Sequence, residues 1–158
     1  MILKSYEIQK IKTNINNLIL FYGQNQGAKE DAISKIIKDN QNRSVIKYEE
    51  KEFLENSETT FENILSKSLF EDKKLIIINR ASDKIVNSIS YFQEKNITDI
   101  IIIIEANNLD KRSKLRSFFE KDKNCICVAF YPDNQESLSK IIYVFLKENN
   151  LKISQSNL

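Results

Sequence analysis

The 158-residue sequence has no histidine, no tryptophan, one proline, two glycines and two cysteines. Each shortage narrows what the chain can do. Without imidazole there is no Ser-His-Asp or Cys-His nucleophile system, and most zinc sites, which need imidazole or at least three thiolates, are excluded too. Cys125 and Cys127, two apart in an apolar run, are read as pointing to opposite faces of a strand and sharing neither a metal nor a disulfide; they serve as small core residues. No apolar run approaches the roughly 18 residues of a membrane span. The longest strong run is 100–104, and Met1-Ile2-Leu3-Lys4 is too short to begin a signal peptide. A cytoplasmic protein is expected, with no membrane partner, metal, cofactor or catalytic residue.

What is present describes one globular domain. Apolar residues make up 41% of the chain and charged residues 29%, enough for a buried core under a solvated surface. The 24 Lys and Arg nearly balance the 22 Asp and Glu, for a net charge of +2, so overall charge does not by itself argue for nucleic acid. Ile, Asn and Lys are abundant in the manner of an AT-rich genome, and surface Lys and Asn therefore carry little information.

Five runs, 17–23, 44–49, 74–79, 99–106 and 125–131, are β-branched and continuous and are bounded by turn or charged residues. Leu75-Ile76-Ile77-Ile78 and the run 100–104 do not alternate with polar residues, as a parallel sheet covered on both faces requires. Helical spacing appears between them, in Ala32, Ile33, Ile36 and Ile37, in Ile85, Val86, Ile89 and Phe92 behind Ser82 as a cap, and in Leu115, Phe118 and Phe119 after Asp110. The final helix carries Leu138, Ile141, Ile142, Phe145 and Leu146. It follows Pro132, with Asp133 and Glu136 spaced as a capping box. The expected fold is a three-layer α/β domain with a five-stranded parallel sheet and right-handed crossovers, followed by pure helix.

The first strand ends in a glycine and leads into Gly23-Gln24-Asn25-Gln26-Gly27-Ala28-Lys29-Glu30. A phosphate-binding loop needs four residues between its glycines, a lysine directly after the second, and then a hydroxyl for magnesium. Here there are three, then Ala28, then Lys29, with Glu30 in the hydroxyl's place. A carboxylate at Glu30 would repel phosphates, and Glu30 and Asp31 would instead satisfy the free amides of the helix N-terminus. Gly23, Gly27 and Lys29 thus form a degenerate phosphate loop that is not expected to bind nucleotide, or else the glycines are ordinary turn residues. The third strand ends Ile78-Asn79-Arg80 without an aspartate. Glu105, closing the fourth, is either a magnesium ligand or, more simply, the partner of a nearby cation.

In the segment 61–72, Phe61, Ile64, Leu65 and Leu69 fall on one helical arc at about 100° per residue, while Phe70 lands opposite Phe61. A Leu69-Phe70 pair rimmed by Lys67, Ser68, Glu71 and Asp72 suits an anchor for a partner's pocket. The alternative is that the helix ends earlier and the ring folds back onto the domain.

The string Ser68-Leu69-Phe70-Glu71-Asp72-Lys73-Lys74-Leu75-Ile76-Ile77-Ile78 is followed by Glu105-Ala106, Leu109, Lys111, Ser113-Lys114-Leu115-Arg116, Phe119-Glu120 and Ala129-Phe130-Tyr131. With Leu20-Phe21-Tyr22-Gly23 before it and Ser137-Leu138 and Leu151-Lys152-Ile153-Ser154 after it, this order and spacing resembles the N-terminal region of the delta subunit of bacterial DNA polymerase III. The resemblance implies a clamp-loader subunit with an AAA+-like (P-loop NTPase-like) domain that neither binds nor hydrolyses ATP. Such a subunit is an accessory part of a DNA-directed DNA polymerase, a nucleotidyltransferase by complex membership, and works in DNA replication. It would bind and open the sliding clamp (beta subunit) through Leu69 and Phe70, flanked by Ser68 and Lys67. At Lys67 some relatives carry an apolar residue, which lowers the expected affinity. Its other partners would be the gamma/tau and delta prime loader subunits and primed DNA. On this reading 1–131 is the AAA+-like domain and 132–158 begins a helical lid, with the rest of the lid and the collar absent. The apolar stripe of the last helix would then be partly exposed, and the chain would self-associate and fail to join a loader pentamer.

Two other readings compete. One is a divergent P-loop-type nucleotide-binding enzyme using Lys29 and Glu105. The other is a DNA-facing stripe of Lys111, Arg112, Lys114, Arg116, Lys121 and Lys123, clustered cations being what phosphate contacts need. On a helix these residues spread around the axis, as on an ordinary solvated face, which is the simpler reading; Lys111, Arg112 and Lys114 remain as the DNA-facing candidates in an assembled loader.

Overall fold

In the computed structural model, residues 1–55, 57–65, 73–95 and 99–151 are described. The elements run β1 (Ile2–Lys4), β2 (Leu18–Gly23), α1 (Gln26–Asp39), β3 (Ser44–Glu49), α2 (Glu50–Glu55), α3 (Ser57–Leu65), β4 (Lys74–Ala81), α4 (Val86–Glu94), β5 (Ile100–Ala106), α5 (Lys114–Lys121), β6 (Cys125–Phe130) and α6 (Gln135–Glu148), with 3-10 turns at Ser5–Lys10 and Asp83–Ile85. The strands form one parallel sheet in the order β1-β6-β2-β5-β4-β3. The sheet therefore has six strands where the sequence pattern indicates five. The added strand, β1, has three residues of which only Leu3 is buried, too few for a hydrophobic period to show. Its entry is pinned by the Met1 ammonium, which donates to the Cys125 and Asp122 carbonyls.

The layering follows from connection handedness. A parallel crossover of fixed hand puts its connection on one face when the chain moves one way along the sheet and on the other face when it moves back. The connections β1 to β2 and β2 to β3 run toward the β3 edge, and they carry the Ser5–Lys10 turn and α1. The three later crossovers run toward the β1 edge and carry α2 to α5. Two cores result. Ile19, Phe21, Ile77, Ile101, Ile103, Ile126 and Val128 pack with Ala32, Ile33 and Ile36 of α1. Leu20, Tyr22, Ile76, Ile78, Ile102 and Ile104 pack with Phe53, Ile64, Ile89, Phe92, Leu115 and Phe119. Neighbouring strand residues feed opposite cores, which is why these runs lack polar alternation.

Cys125 and Cys127 both belong to the second core and are free and buried. Their assignment to opposite faces is corrected, because residues two apart share a face of a strand; their role as small core residues stands. Burial pushes both thiols up to about 12. The cap of α6 also differs from the pattern. Asn134 accepts from Ser137 N at 2.8 Å and its own amide donates to Ser137 Oγ at 2.9 Å, so the capping box is Asn134 with Ser137, not Asp133 with Glu136. No helix among the described residues is long and apolar enough to cross a membrane.

Candidate functional site

The connections leaving β2 and β5 go to opposite faces of the sheet, so a crevice opens between the carboxyl ends of these adjacent strands, where open α/β sheets place ligands. Gly23 closes β2 at φ +128°, and a Cβ there would be driven into the Phe130 carbonyl. Glycine is required at this position both for its dihedral and for its close approach to β6. The Gly23 amide donates to Asn107 O at 3.2 Å and the Asn25 amide to Phe130 O at 3.3 Å. The loop is thereby closed onto the ends of both neighbouring strands. Gly27 has open space around it and lies in the first turn of α1, so it is not a turn glycine.

The groups that would serve a phosphate are engaged within the chain. Asn25 Oδ1 caps α1 by accepting from Ala28 N at 3.1 Å, the role assigned above to Glu30 and Asp31. Glu30 instead accepts from Gln26 Nε2 at 2.9 Å. Lys29 is fully buried. Its ammonium donates to Ala106 O at 3.0 Å and stands 3.3 Å from Glu105 Oε1. Glu105 is thus the partner of a neighbouring cation, the simpler of its two readings, and Lys29 points into the sheet end. The ion pair occupies the crevice from within.

Two openings flank this ion pair. One, of about 540 Å³, lies between α1 and the ends of β3, β4 and β5 and is lined by Glu30, Lys47, Glu49, Asn79, Arg80 and Glu105 among others, so that Glu105 forms part of its wall. The second, of about 660 Å³, is bordered by Arg80, Lys84, Asn107, Asp110 and Arg112. Arg80 stands between them at φ 54°, in a register irregularity of β4 between Ile78 and Ala81, with Nε 3.6 Å from Glu49 Oε2. No local signal in the sequence marks that left-handed residue.

Lys111, Arg112 and Lys114 are all exposed, and Arg112 borders the second opening. The acids beside them are exposed but hydrogen-bonded to the backbone. Asp83 accepts from Ser113 Oγ at 2.7 Å and Leu115 N at 2.9 Å, and these bonds hold its carboxyl below the usual range. Asp110 accepts from Arg112 N at 2.7 Å. Arg116 leaves the proposed stripe, because its guanidinium pairs with Glu120 at 2.7 Å and lies over the Tyr22 ring.

Lys67, Ser68, Leu69 and Phe70 lie outside the described residues. What precedes them is anchored. Phe61 packs on Phe53, Tyr91 and Phe92, while Ile64 is buried, so the described part of the arc faces the core as its spacing indicates. The Lys74 ammonium donates to Asn63 O at 2.7 Å and Ile64 O at 3.0 Å, placing a cation on the last carbonyls of α3.

The parallel sheet, the glycine-ended strand and the helix that starts beside it define an AAA+-like, P-loop NTPase-like α/β domain. Within that class, the family model for the DNA polymerase III delta subunit matches residues 19–130, and the chain belongs to that family. Among solved structures, it is similar to the Bacillus subtilis DNA clamp loader delta protein (YqeN), with 12% identity and a TM-score of 0.63 over 92% of this chain and 48% of that one. A replication initiator DnaA bound to AMPPCP and single-stranded DNA aligns with 22% identity and a TM-score of 0.51, over 96% of this chain and 51% of that one. The chain thus spans about half the length of these relatives. No curated protein matches its sequence.

Proposed function

We propose that the chain is the clamp-recognising part of a DNA polymerase III clamp loader, an adaptor without nucleotide chemistry of its own. Membership of the delta-subunit family supports the role. The single observation that carries the adaptor reading is the Lys29 ammonium engaged by Glu105 and Ala106 O. Leu69 and Phe70, with Ser68 and Lys67 beside them, bind the sliding clamp and help to hold it open. The gamma/tau and delta prime subunits supply the ATPase work, in the cytoplasm, on primed DNA. The deciding experiment is calorimetry of the 158-residue chain with the cognate clamp. Losing two apolar anchors from one pocket costs roughly 3 kcal/mol or more, so Leu69→Ala with Phe70→Ala weakens binding by over about a hundredfold. A folded double variant that binds like the parent refutes the assignment.

Lys111, Arg112 and Lys114 support a second contact, with DNA phosphates in the assembled loader, because all three are exposed and follow one another closely at the start of α5. Neutralising them should lower the salt dependence of DNA binding by the loader. The competing nucleotide-binding enzyme requires Lys29 to be free. A magnesium-dependent rise in melting temperature with ATP that disappears in Lys29→Ala would revive it.

A further inference from the structure

The degenerate loop does more than close on itself. Asn25 Oδ1 caps α1, while its Nδ2 donates to Asp133 Oδ2 at 2.7 Å. Asp133 immediately precedes the α6 cap Asn134, and its other oxygen lies 2.9 Å from the Ser137 hydroxyl, which belongs to the same capping box. One asparagine side chain therefore joins the first turn of α1 to the first turn of α6. The Asn25 amide on Phe130 O fixes the same loop to the end of β6, three residues earlier.

Among the described residues little else fixes α6. Leu138, Ile141, Ile142, Tyr143, Val144 and Phe145 are 40% to 63% exposed, and the Glu136–Lys140 ion pair lies within the helix. Its direction depends on residues 131–134, of which Pro132 has a restricted backbone, and on what Asp133 holds. A helix N-terminus beside such a loop is a natural seat for phosphate. Here the carboxamide of Asn25 takes that seat and reaches across to the next helix.

We propose that Asn25 and Asp133 are positioning residues that set the direction of α6 against the α/β domain without a ligand, Asn25 occupying the place where a bound phosphate would otherwise bridge the loop and the helix. The pose of α6 is then constitutive and independent of nucleotide.

The test places spin labels on the exposed positions of Lys38→Cys and Tyr143→Cys in the full 158-residue chain, diluted into an excess of unlabelled chain so that only separations within one molecule are read, and measures their separation by double electron-electron resonance. The native thiols do not interfere, being buried with raised pKa. The parent gives one narrow distance, unchanged by millimolar Mg-ATP. Asn25→Asp keeps an acceptor for the α1 cap but sets two carboxylates face to face, and the narrow distance is lost. Asp133→Ala loses it from the other side with the α1 cap intact. The exchange Asn25→Asp with Asp133→Asn returns a donor and an acceptor to the pair, and the narrow distance comes back. Should Asn25→Asp fail to fold by circular dichroism, Asp133→Ala alone decides. The inference is overturned by a broad parent distribution, by a distance that moves with nucleotide, by folded single variants that keep the parental distance, or by a folded exchange variant that does not recover it.

Discussion

At Gly23 two constraints coincide, a φ of +128° and a Cβ position inside the Phe130 carbonyl, whereas Gly27 lies in a helix with nothing near its missing Cβ. Gly23→Ala should therefore cost about 2 kcal/mol or more, since a strained dihedral alone costs 1–3 kcal/mol. Gly27→Ala should be neutral or stabilise by up to about 0.5 kcal/mol through helix propensity. Urea denaturation of both variants checks the contrast, and equal effects would mean the loop is not held as described. The Lys29–Glu105 pair is asymmetric in a similar way. Glu105 keeps some access to water, its side chain 12% exposed, while Lys29 has none. Glu105→Ala strands a buried ammonium on one carbonyl and should cost about 3 kcal/mol. Lys29→Met leaves a carboxylate that water can reach and should cost less than half of that, measured in the same denaturation series. A larger cost for Lys29→Met would show that the buried stem, not the charge, dominates.

At the scale of elements, Asp83 joins the turn before α4 to the start of α5 through Ser113 Oγ, Leu115 N and the Lys114 amide. Its carboxyl is held below the ordinary value of 3.8, chiefly by the Leu115 amide. A depressed carboxylate contributes stability above its unfolded pKa and loses it as pH falls through the lower, folded one. Asp83→Asn should thus be less stable than the parent at neutral pH. The gap should shrink only once pH drops below about 3.8, the ordinary value, and urea melts across that window read it directly; a gap constant with pH would place the effect elsewhere. The long elements were legible because their apolar runs and helical stripes are what two-sided burial demands. Element β1 and the helix α2, with Phe53 as its one buried residue, were not, since a single inward side chain makes no period. The glycine-ended strand and Lys29 marked the site. The partners of Lys29 and Asn25 were hidden because Ala106 and Asp133 are 77 and 108 residues away along the chain, and only the sheet order brings them together. The caps Asn25 and Asn134 are masked in the sequence because acidic neighbours offer the same chemistry one to several residues away.

On the scale of the whole molecule, the elements before α6 form a sheet covered on both faces, and α6 projects from its end with an apolar stripe in water. Leu138, Ile141, Ile142 and Phe145 are each at least 40% exposed and recur at the spacing of one helical face. Contiguous apolar surface beyond a few hundred Å² is uncommon on soluble monomers and drives association. The 158-residue chain in isolation should accordingly self-associate as concentration rises. Ile142→Lys with Phe145→Lys should return it to a monomer without lowering its melting temperature, because neither side chain is buried in the α/β cores. Multi-angle light scattering over a concentration series reads the first outcome and a thermal melt the second. A parent that stays monomeric at high concentration would mean that α6 packs back onto the domain in solution. A lysine pair that leaves association intact would move the contact to other exposed apolar residues, such as Ile2 of the edge strand β1, whose open side offers backbone groups for pairing.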